Sequence, residues 1–294
     1  MFTIVFLSFH SESHIKRLVA GIEKKYPIIV IENSSNQMLK EELEKKYENV
    51  KVIIPGKNIG FTAGYNLGIK ESKTDFVFLN PADVALSNKC LSDLEECVSK
   101  IDDFTILGPT YDNEKNYKNY EIWDQKKLNI NLSVQIFEKY KVKEVDFIDN
   151  DFIINKKHFK KIGFFDENIF IYFDTMDFCK RVRLDNKKIY VCDKIKFTHF
   201  GGQSHDPKFS LQATLNRNWH YNCSKFYYFK KNFGYFFALK KIRPNFFRSI
   251  KKMVSAKFKK DHEKYCLSRA EFLGIINSIF NKPSSYRPYE NNKN

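Results

Sequence analysis

Three aspartates stand among large apolar residues in one stretch of the chain, residues 163–181, at Asp166, Asp174 and Asp177. Burying an unpaired carboxylate costs free energy, so packing alone does not favour acids in such surroundings. Acids are often kept there for chemistry, as general bases whose pKa is raised by the exclusion of water. Asp174 and Asp177 are therefore candidate catalytic residues. The simpler interpretation of Asp177 is an acid that stabilises the first turn of a helix.

A histidine and another aspartate occupy positions suited to a divalent cation. His199 precedes a pair of glycines, and Asp83 follows the apolar run 76–79. Magnesium commonly takes one or two carboxylates from a protein and completes its shell with water and substrate phosphates. Asp83 and His199 are therefore candidate ligands of Mg or Mn. The alternatives are that Asp83 caps a helix starting near Ser87 and that His199 is a buried structural histidine.

Short β-rich runs alternate with helical runs over the first 110 residues, which is typical of an open α/β sheet. The predicted strands are residues 3–9, 28–32, 50–54, 76–80 and 104–107. Apolar residues at spacings of three and four predict helices at 13–26, 37–47, 61–72 and 87–101. Further along, the pattern predicts a loop or lid at 111–131, strands at 145–155 and 188–192, and helices at 156–162 and 175–184.

The predicted strands end in polar residues, among them Ser8, Glu32 and Asn80. In an open α/β sheet, ligands bind in the crevice beyond the carboxyl ends of the strands. We therefore expect these three side chains to line one ligand-binding crevice.

A stretch rich in glycine and asparagine, residues 58–68, opens the helix that follows the third strand and contains Asn58, Gly60 and Asn66. The free backbone N–H groups of a helix N-terminus favour a phosphate, so this stretch is a candidate phosphate site. Close packing of the helix against a strand is an equally good reason for glycines there.

The net charge of +15 comes from one part of the chain. Residues 207–260 contain 14 Lys or Arg and no Asp or Glu, with aromatic residues at helical spacing among them. This pattern predicts a basic, aromatic helical segment at 207–294, appended to a domain at 1–206. Its expected partner is an anionic membrane surface. Nucleic-acid binding and a simple solvated face are the alternatives.

The composition favours a globular protein without a membrane-spanning segment. Hydrophobic residues make up 43% of the 294 residues, yet no apolar run approaches the roughly 20 residues that cross a bilayer. The N-terminus lacks the basic start of a signal peptide, and the six cysteines show neither zinc spacing nor a disulfide framework. We expect a cytoplasmic protein with reduced thiols, attached peripherally to the inner face of the plasma membrane.

The order of these motifs resembles that of the family 2 glycosyltransferases with the GT-A fold, in the rhamnosyltransferase-like branch that builds bacterial surface polysaccharides. The resemblance covers residues 3–204. Its elements are the opening strand and acidic turn at 3–10 and 29–35, the glycine stretch at 58–68, the metal-binding aspartate motif at 79–83, the catalytic-base region at 163–181 and the histidine-glycine motif at 199–204.

The resemblance implies an α/β, GT-A type open mixed sheet flanked by helices, with a Rossmann-like nucleotide-binding half. It also implies a UDP- or dTDP-sugar donor, a glycan or lipid-linked acceptor, and inversion at the anomeric carbon. Mg or Mn bound by Asp83, assisted by His199, would neutralise the donor diphosphate, and Asp174 would be the general base. Glu32 would accept a hydrogen bond from the imide N–H of uracil or thymine. The implied donor-binding residues are Ser8, Glu32, Asn58, Gly60, Asn66 and Asn80.

Two departures from the family pattern leave other functions open. The chain has Asp174 and Thr175 where the family usually has Glu and Asp, and its metal motif contains one extra residue before Asp83. A catalytically inactive GT-A protein that binds nucleotide sugars or serves as a scaffold is therefore the main alternative. A nucleic-acid-binding module would leave the carboxylates unexplained. A dinucleotide-dependent oxidoreductase would need a Gly-x-Gly-x-x-Gly motif after the first strand, which this chain lacks.

Overall fold

The computed structural model describes residues 1–101, 103–112, 118–123, 135–149, 151–199 and 207–287. These residues form two compact units. The sheet unit consists of the described residues of Met1–Phe165 and Thr175–His205, and the helical unit of those of Asp166–Asp174 and Asp206–Asn294. No helix within the described residues combines the length and the apolar character needed to cross a bilayer.

Eleven strands occur in the described residues of the sheet unit. They are β1 (Thr3–Ser8), β2 (Ile28–Glu32), β3 (Val50–Ile53), β4 (Phe76–Pro81), β5 (Val84–Ala85), β6 (Ile106–Tyr111), β7 (Tyr120–Glu121), β8 (Val142–Glu144), β9 (Phe147–Ile148), β10 (Phe152–Asn155) and β11 (Ile189–His199). The helices that accompany them are α1 (Glu12–Gly21), α2 (Gln37–Lys46), α3 (Gly60–Glu71), α4 (Asn88–Lys100), α5 (Gln135–Tyr140), α6 (Phe159–Ile162) and α7 (Asp174–Leu184). The helical unit contains α8 (Ser210–Phe233), α9 (Tyr235–Phe258) and α10 (His262–Ile279).

The main sheet is mixed, with the strand order β3-β2-β1-β4-β10-β6-β11-β5 and β8 beside β11. Strands β1 to β4 run parallel, and β10 lies antiparallel between β4 and β6. The chain fills the positions from β1 outward to β3 and then crosses to β4 on the other side of β1. The carboxyl ends of the neighbouring strands β1 and β4 therefore lie at a topological switch point, where open α/β sheets bind their ligands.

Alternating side chains of the strands form a core on each face of the sheet. Ile4 and Phe6 lie in a cluster with residues of α1, α2 and α4. Val5 points the other way and joins a cluster with residues of α3 and α7. The period of two in the strands thus produces a layer of helices on each face.

The predicted α/β architecture is confirmed, and its first four strands are found within one residue of the predicted ends. Three strand predictions differ from the structure. The strand expected at 104–107 is found as β6, which begins at Ile106 and continues to Tyr111. The strand expected at 145–155 is broken into β9 and β10, and the strand expected at 188–192 continues as β11 to His199. The loop or lid expected at 111–131 lies largely outside the described residues.

Glycines in α3 let this helix lie close to the sheet. A Cβ on Gly68 would lie 2.4 Å from Cγ1 of Val5, and one on Gly64 would lie 2.7 Å from Cδ2 of Leu7. Such distances are too short for two carbon atoms, so a side chain here must displace a strand residue. The packing explanation for these two glycines is therefore correct.

We expect Gly68→Ala to lower the free energy of unfolding by about 1–3 kcal/mol, the usual cost of overpacking a core. Gly21→Ala is the matched control, because nothing lies within 4 Å of a Cβ built on Gly21, at the end of α1. Denaturant unfolding of both variants measures the difference. Equal stability of the two variants would contradict the close packing of α3.

Candidate active site

Asp83 and His199 come together because their backbones lie on paired strands. Asp83 lies in the turn between β4 and β5, and β5 pairs antiparallel with the end of β11, where Val84 faces His199. The Nε2 atom of His199 lies 3.4 Å from Oδ2 of Asp83. Hydrogen bonding to this carboxylate raises the pKa of His199. Two candidate metal ligands that are 116 positions apart in the sequence are thus neighbours.

Tyr111 contacts His199 and Asp151 contacts Tyr111, and neither residue was singled out from the sequence. The ring of Tyr111 stacks on the imidazole with 4.9 Å between centroids, and its hydroxyl donates a hydrogen bond to Oδ2 of Asp151. Asp151 is fully buried, and burial raises its pKa well above the usual range for Asp. An acid between the apolar pairs at 147–148 and 152–153 was the available signal, the same one that drew attention to Asp174.

The donor set of Asp83 and His199 fits a divalent cation that shares its shell with a substrate. A carboxylate oxygen and an imidazole nitrogen suit Mn, and a carboxylate with phosphate oxygens suits Mg. Within the described residues, no three His, Cys, Asp or Glu side chains are grouped so as to hold a metal by themselves. Further oxygens from a bound phosphate and from water would complete the shell. The histidine-glycine motif after His199, at 200–204, lies outside the described residues.

The switch-point edge, which we define by Ser8, Glu32, Asn33 and Asn80, is polar and buried. Ser8 pairs with Glu32 in the β1–β2 ladder, and Asn80 lies near the end of β4. Three atoms here, Oγ of Ser8, Oδ1 of Asn33 and Oδ1 of Asn80, are buried without a hydrogen-bond partner among the described residues. Buried polar atoms in native proteins are nearly always paired, so these three atoms are acceptors available to a polar ligand or to water.

The carboxylate of Glu32 is held in place by a neighbouring serine. Both the backbone N–H and the hydroxyl of Ser34 donate to Oε1 of Glu32, the former at 2.6 Å. Donors that fix one oxygen restrict the rotation of the whole carboxylate group. Both hydrogen bonds from Ser34 go to Oε1 and neither goes to Oε2.

The glycine and asparagine stretch divides into a loop part and a helix part. Oδ1 of Asn58 accepts a hydrogen bond from the N–H of Gly60 at 3.0 Å, and Gly60 has a φ of +88°. The carbonyl of Gly60 also accepts a hydrogen bond from Nδ2 of Asn33 at 3.3 Å, which links this loop to the switch-point edge.

The third residue predicted in this stretch, Asn66, holds a distant part of the chain. Its Nδ2 donates to the carbonyl of Phe165 at 2.9 Å, and its Oδ1 accepts from the N–H of Phe165 at 3.0 Å. This side chain is buried, so the structure gives Asn66 a structural role. Nothing in its geometry supports donor binding, which stays a prediction from the resemblance.

The segment before Asp174 has an unusual backbone. Tyr172 and Phe173 have φ values of +67° and +63°, in the left-handed region that large side chains avoid. Within the helical unit, Ser224 of α8 donates a hydrogen bond to the carbonyl of Ile171 at 2.8 Å. The ring of Phe173 packs against Tyr228, 5.6 Å away between centroids. Strain of this kind persists where surrounding contacts impose it, and it is concentrated at functional sites.

Asp174 itself is nearly buried at the start of α7. Asp177 and Asp166 each have a cationic partner. Asp177 accepts a hydrogen bond from Nε of Arg181 at 3.0 Å. Asp166 accepts hydrogen bonds from Lys231 at 2.7 Å and from the Tyr227 hydroxyl at 2.9 Å. Burial alone would raise the pKa of Asp166, but the hydrogen bond from Lys231 and its other donors outweigh burial and lower it. Asp166 is therefore the anionic partner of Lys231 within the helical unit.

Arg181 ties Asp177 to the backbone of the preceding loop. Its guanidinium donates to the carbonyls of Ile162 at 2.6 Å and Phe164 at 2.8 Å. An acid that orients such an arginine has a structural role, which agrees with the simpler interpretation of Asp177. A catalytic role for Asp177 stays a prediction.

Comparison with known proteins gives a family and a fold. The model of the family described as Glycosyl transferase family 2 matches residues 3–176. The low-salt glycan biosynthesis hexosyltransferase Agl10 of Haloferax volcanii is 24% identical over 208 residues, 67% of this chain and 66% of the relative. The dTDP-rhamnosyl transferase RfbF of Shigella flexneri is 24% identical over 181 residues, 60% of each protein. The chain thus spans at most 66% of the length of these relatives.

A solved structure with a similar fold is the mannosyltransferase PcManGT of Pyrobaculum calidifontis, in complex with GDP-Man and Mn²⁺. The TM-score is 0.56 at 7% identity, over 96% of this chain and 87% of that one. At this identity the similarity shows the fold alone. It confirms the GT-A fold that the sequence predicted.

Proposed function

Because the chain belongs to glycosyl transferase family 2, we propose that it transfers a hexose from a UDP- or dTDP-sugar to a glycan or lipid-linked acceptor. The observation that supports this most directly is the switch-point edge, where three buried polar atoms lack partners among the described residues. The names of the two relatives, a glycan-building hexosyltransferase and a dTDP-rhamnosyl transferase, agree with such a reaction. We propose that this transfer is a step in the assembly of bacterial surface polysaccharides.

The residues of the switch-point edge and of the loop before α3 have proposed parts in binding the donor. Ser8 and Asn80 offer buried oxygens to the nucleoside, and Glu32 offers Oε2 to the imide N–H of the base. Asn58 and Gly60 shape the loop before α3 through their own hydrogen bond, and the first turn of α3, which has no side-chain cap, offers its backbone N–H groups to a phosphate.

Asp83 and His199 are the proposed ligands of Mg or Mn. The cation, when bound, would neutralise charge on the leaving nucleoside diphosphate as a Lewis acid. Tyr111 holds the imidazole of His199 by stacking, and the buried carboxyl of Asp151 holds Tyr111. Groups that support a ligand in this way commonly strengthen metal binding.

The proposed chemical step is a single displacement with inversion. The acceptor hydroxyl oxygen bonds to the anomeric carbon while the bond from that carbon to the diphosphate oxygen breaks. The hydroxyl proton passes to the carboxylate of Asp174, which acts as the general base. A threonine hydroxyl cannot accept this proton at neutral pH, so Thr175 does not replace it.

Thermal unfolding with a panel of sugar nucleotides, each with and without Mn, tests the donor assignment. A ligand at about 100 times its Kd stabilises by about 2.7 kcal/mol, which raises Tm by roughly 5–10 °C for a chain of this size. We expect this shift with UDP- or dTDP-sugars, larger with Mn. A shift with none of these donors would contradict the proposal.

Thr175 at the usual position of the base favours a second candidate, an inactive protein that binds nucleotide sugars. Release of nucleoside diphosphate from the stabilising donor, with candidate acceptors and with water alone, separates the two. Tight donor binding without any release would favour the inactive protein.

A further inference from the structure

The α9 helix is strongly basic. Its 24 residues include seven Lys or Arg and no Asp or Glu, and Lys259 and Lys260 follow directly. Aromatic residues are mixed with these cations. This combination distinguishes α9 from helices of the sheet unit such as α2 and α4, which carry acids together with their lysines.

One side of α9 exposes large apolar side chains to solvent. Phe236, Phe247, Val254 and Phe258 are 85%, 60%, 50% and 85% exposed. Their spacings of 11, 7 and 4 residues are close to three, two and one turns of a helix with 3.6 residues per turn, so the four residues share one side of the helix. We call these four residues, with the exposed cations Lys240, Arg243 and Lys251 between them, the outer face of α9.

The opposite side of α9 already forms the core of the helical unit. Ala238 and Ile242 are buried in a cluster with Phe226 of α8 and Ile275 of α10. Asn245 and Ser249 are buried on the same side. The packing of the helical unit therefore leaves the outer face uncovered. Exposed apolar residues in a row, rimmed by charges, mark interaction sites.

We propose that the outer face of α9 lies in the interface of an anionic lipid bilayer. The phenylalanines enter the boundary between headgroups and acyl chains, and Lys240, Arg243 and Lys251 reach the lipid phosphates. An amphipathic helix with apolar residues on one side, long cationic side chains beside them and no acids has the chemistry of an in-plane membrane helix. The absence of Asp and Glu from α9 leaves no carboxylate to repel anionic headgroups.

The aromatic corner between α8 and α9 extends this surface. Phe233, which is exposed at the end of α8, packs on Phe237 with 5.1 Å between ring centroids. Gly234 between the helices has a φ of +90°, which turns the chain sharply and brings the two rings together. The corner adds apolar area next to Phe236, where the outer face begins.

The outer face is poorly suited to two other partners, a nucleic acid and a second copy of this chain. Phe236 and Phe247 are about 16 Å apart along the axis of a helix that rises 1.5 Å per residue. Successive bases of a nucleic acid lie about 3.4 Å apart, so these rings cannot stack consecutive bases. A second copy would place the same cations against each other, which opposes pairing through this face.

Co-sedimentation of the full chain with vesicles of phosphatidylglycerol and phosphatidylcholine tests the proposal. Wild type should bind anionic vesicles, lose affinity steeply with salt, and bind neutral vesicles weakly. The triple variant Lys240→Gln, Arg243→Gln, Lys251→Gln should bind on the order of 100-fold more weakly, since each cation near an anionic surface contributes about fivefold. The triple variant Phe236→Ser, Phe247→Ser, Phe258→Ser should lose at least as much.

Matched controls lie on the sheet unit. Lys24→Gln, Lys45→Gln, Lys46→Gln removes three exposed cations, and Met38→Ser, Leu184→Ser removes two exposed apolar side chains. Both control variants should bind vesicles as wild type does. Circular dichroism should show every variant folded, because all the changed residues are exposed.

A tryptophan at Phe247, which is 60% exposed, reports insertion directly. The emission of Phe247→Trp should shift to the blue with anionic vesicles and stay unchanged without lipid. Three outcomes would overturn the proposal: equal loss of binding in the control variants, tighter binding to a single-stranded oligonucleotide than to vesicles, or a blue shift that follows protein concentration without lipid. The last outcome would indicate a dimer through this face. None of these measurements uses a sugar donor, so they are independent of the proposed transferase activity.

Discussion

Asp83→Ala should abolish the Mn-dependent part of donor binding and leave the fold intact. Asp83 lies in a turn at the edge of the sheet, and its side chain contacts His199 without contributing to either apolar core. Loss of a supporting group beside a metal costs roughly 10- to 100-fold in affinity, and loss of a ligand should cost more. Calorimetric titration of UDP or dTDP, with Mn and with a chelator, measures the effect.

Asp83→Asn provides the sharper comparison, because it keeps the shape of the side chain and removes its charge. We expect it to behave like the alanine variant, whereas Asp103→Ala, at an exposed acid elsewhere in the sheet unit, should bind as wild type does. In chelator all variants should bind the nucleotide equally. Unchanged Mn-dependent affinity in both Asp83 variants would remove Asp83 from the metal site.

The sequence predicts Asp83 and His199 as candidate metal ligands, but no local pattern shows how the two side chains come together. An acid after a purely apolar strand is a local signal, whereas the position of His199 depends on the length of β11. That strand continues through Asp193 and Lys194, where the polar residues interrupt the alternation, and its register with β6 shifts between Cys192 and Lys196. Only the pairing of His199 with Val84 brings the imidazole to the carboxylate.

The residues that support the site were missed for a related reason. Tyr111 and Asp151 are 40 positions apart, and their hydrogen bond follows from strand pairings that no local pattern reveals. The two hydrogen bonds between Asn66 and Phe165 span 99 positions, so a residue that resembled a phosphate ligand is explained by long-range packing. The left-handed backbone at Tyr172 and Phe173 is hidden as well, because aromatic residues rarely adopt it. Periodicity in the sequence predicts helices and strands, whereas tertiary contacts determine which polar residues have a structural role.

Asp174→Asn should keep donor affinity nearly unchanged and lower kcat by roughly 100-fold to 10,000-fold, the usual contribution of a general base. An amide has the size of the carboxylate but cannot take the acceptor proton. The strained residues Tyr172 and Phe173 precede Asp174 and fix its backbone, which favours a functional position. Sugar transfer to a suitable acceptor, set against donor binding by the same variant, is the measurement.

Asp177→Asn is the contrast: loss of the charge that pairs with Arg181 should lower the free energy of unfolding by about 1–3 kcal/mol. Thr175→Asp, which restores the family's usual residue, should raise turnover, because it adds a carboxylate at the position where the family has its base. Full activity in Asp174→Asn would show that another group takes the proton.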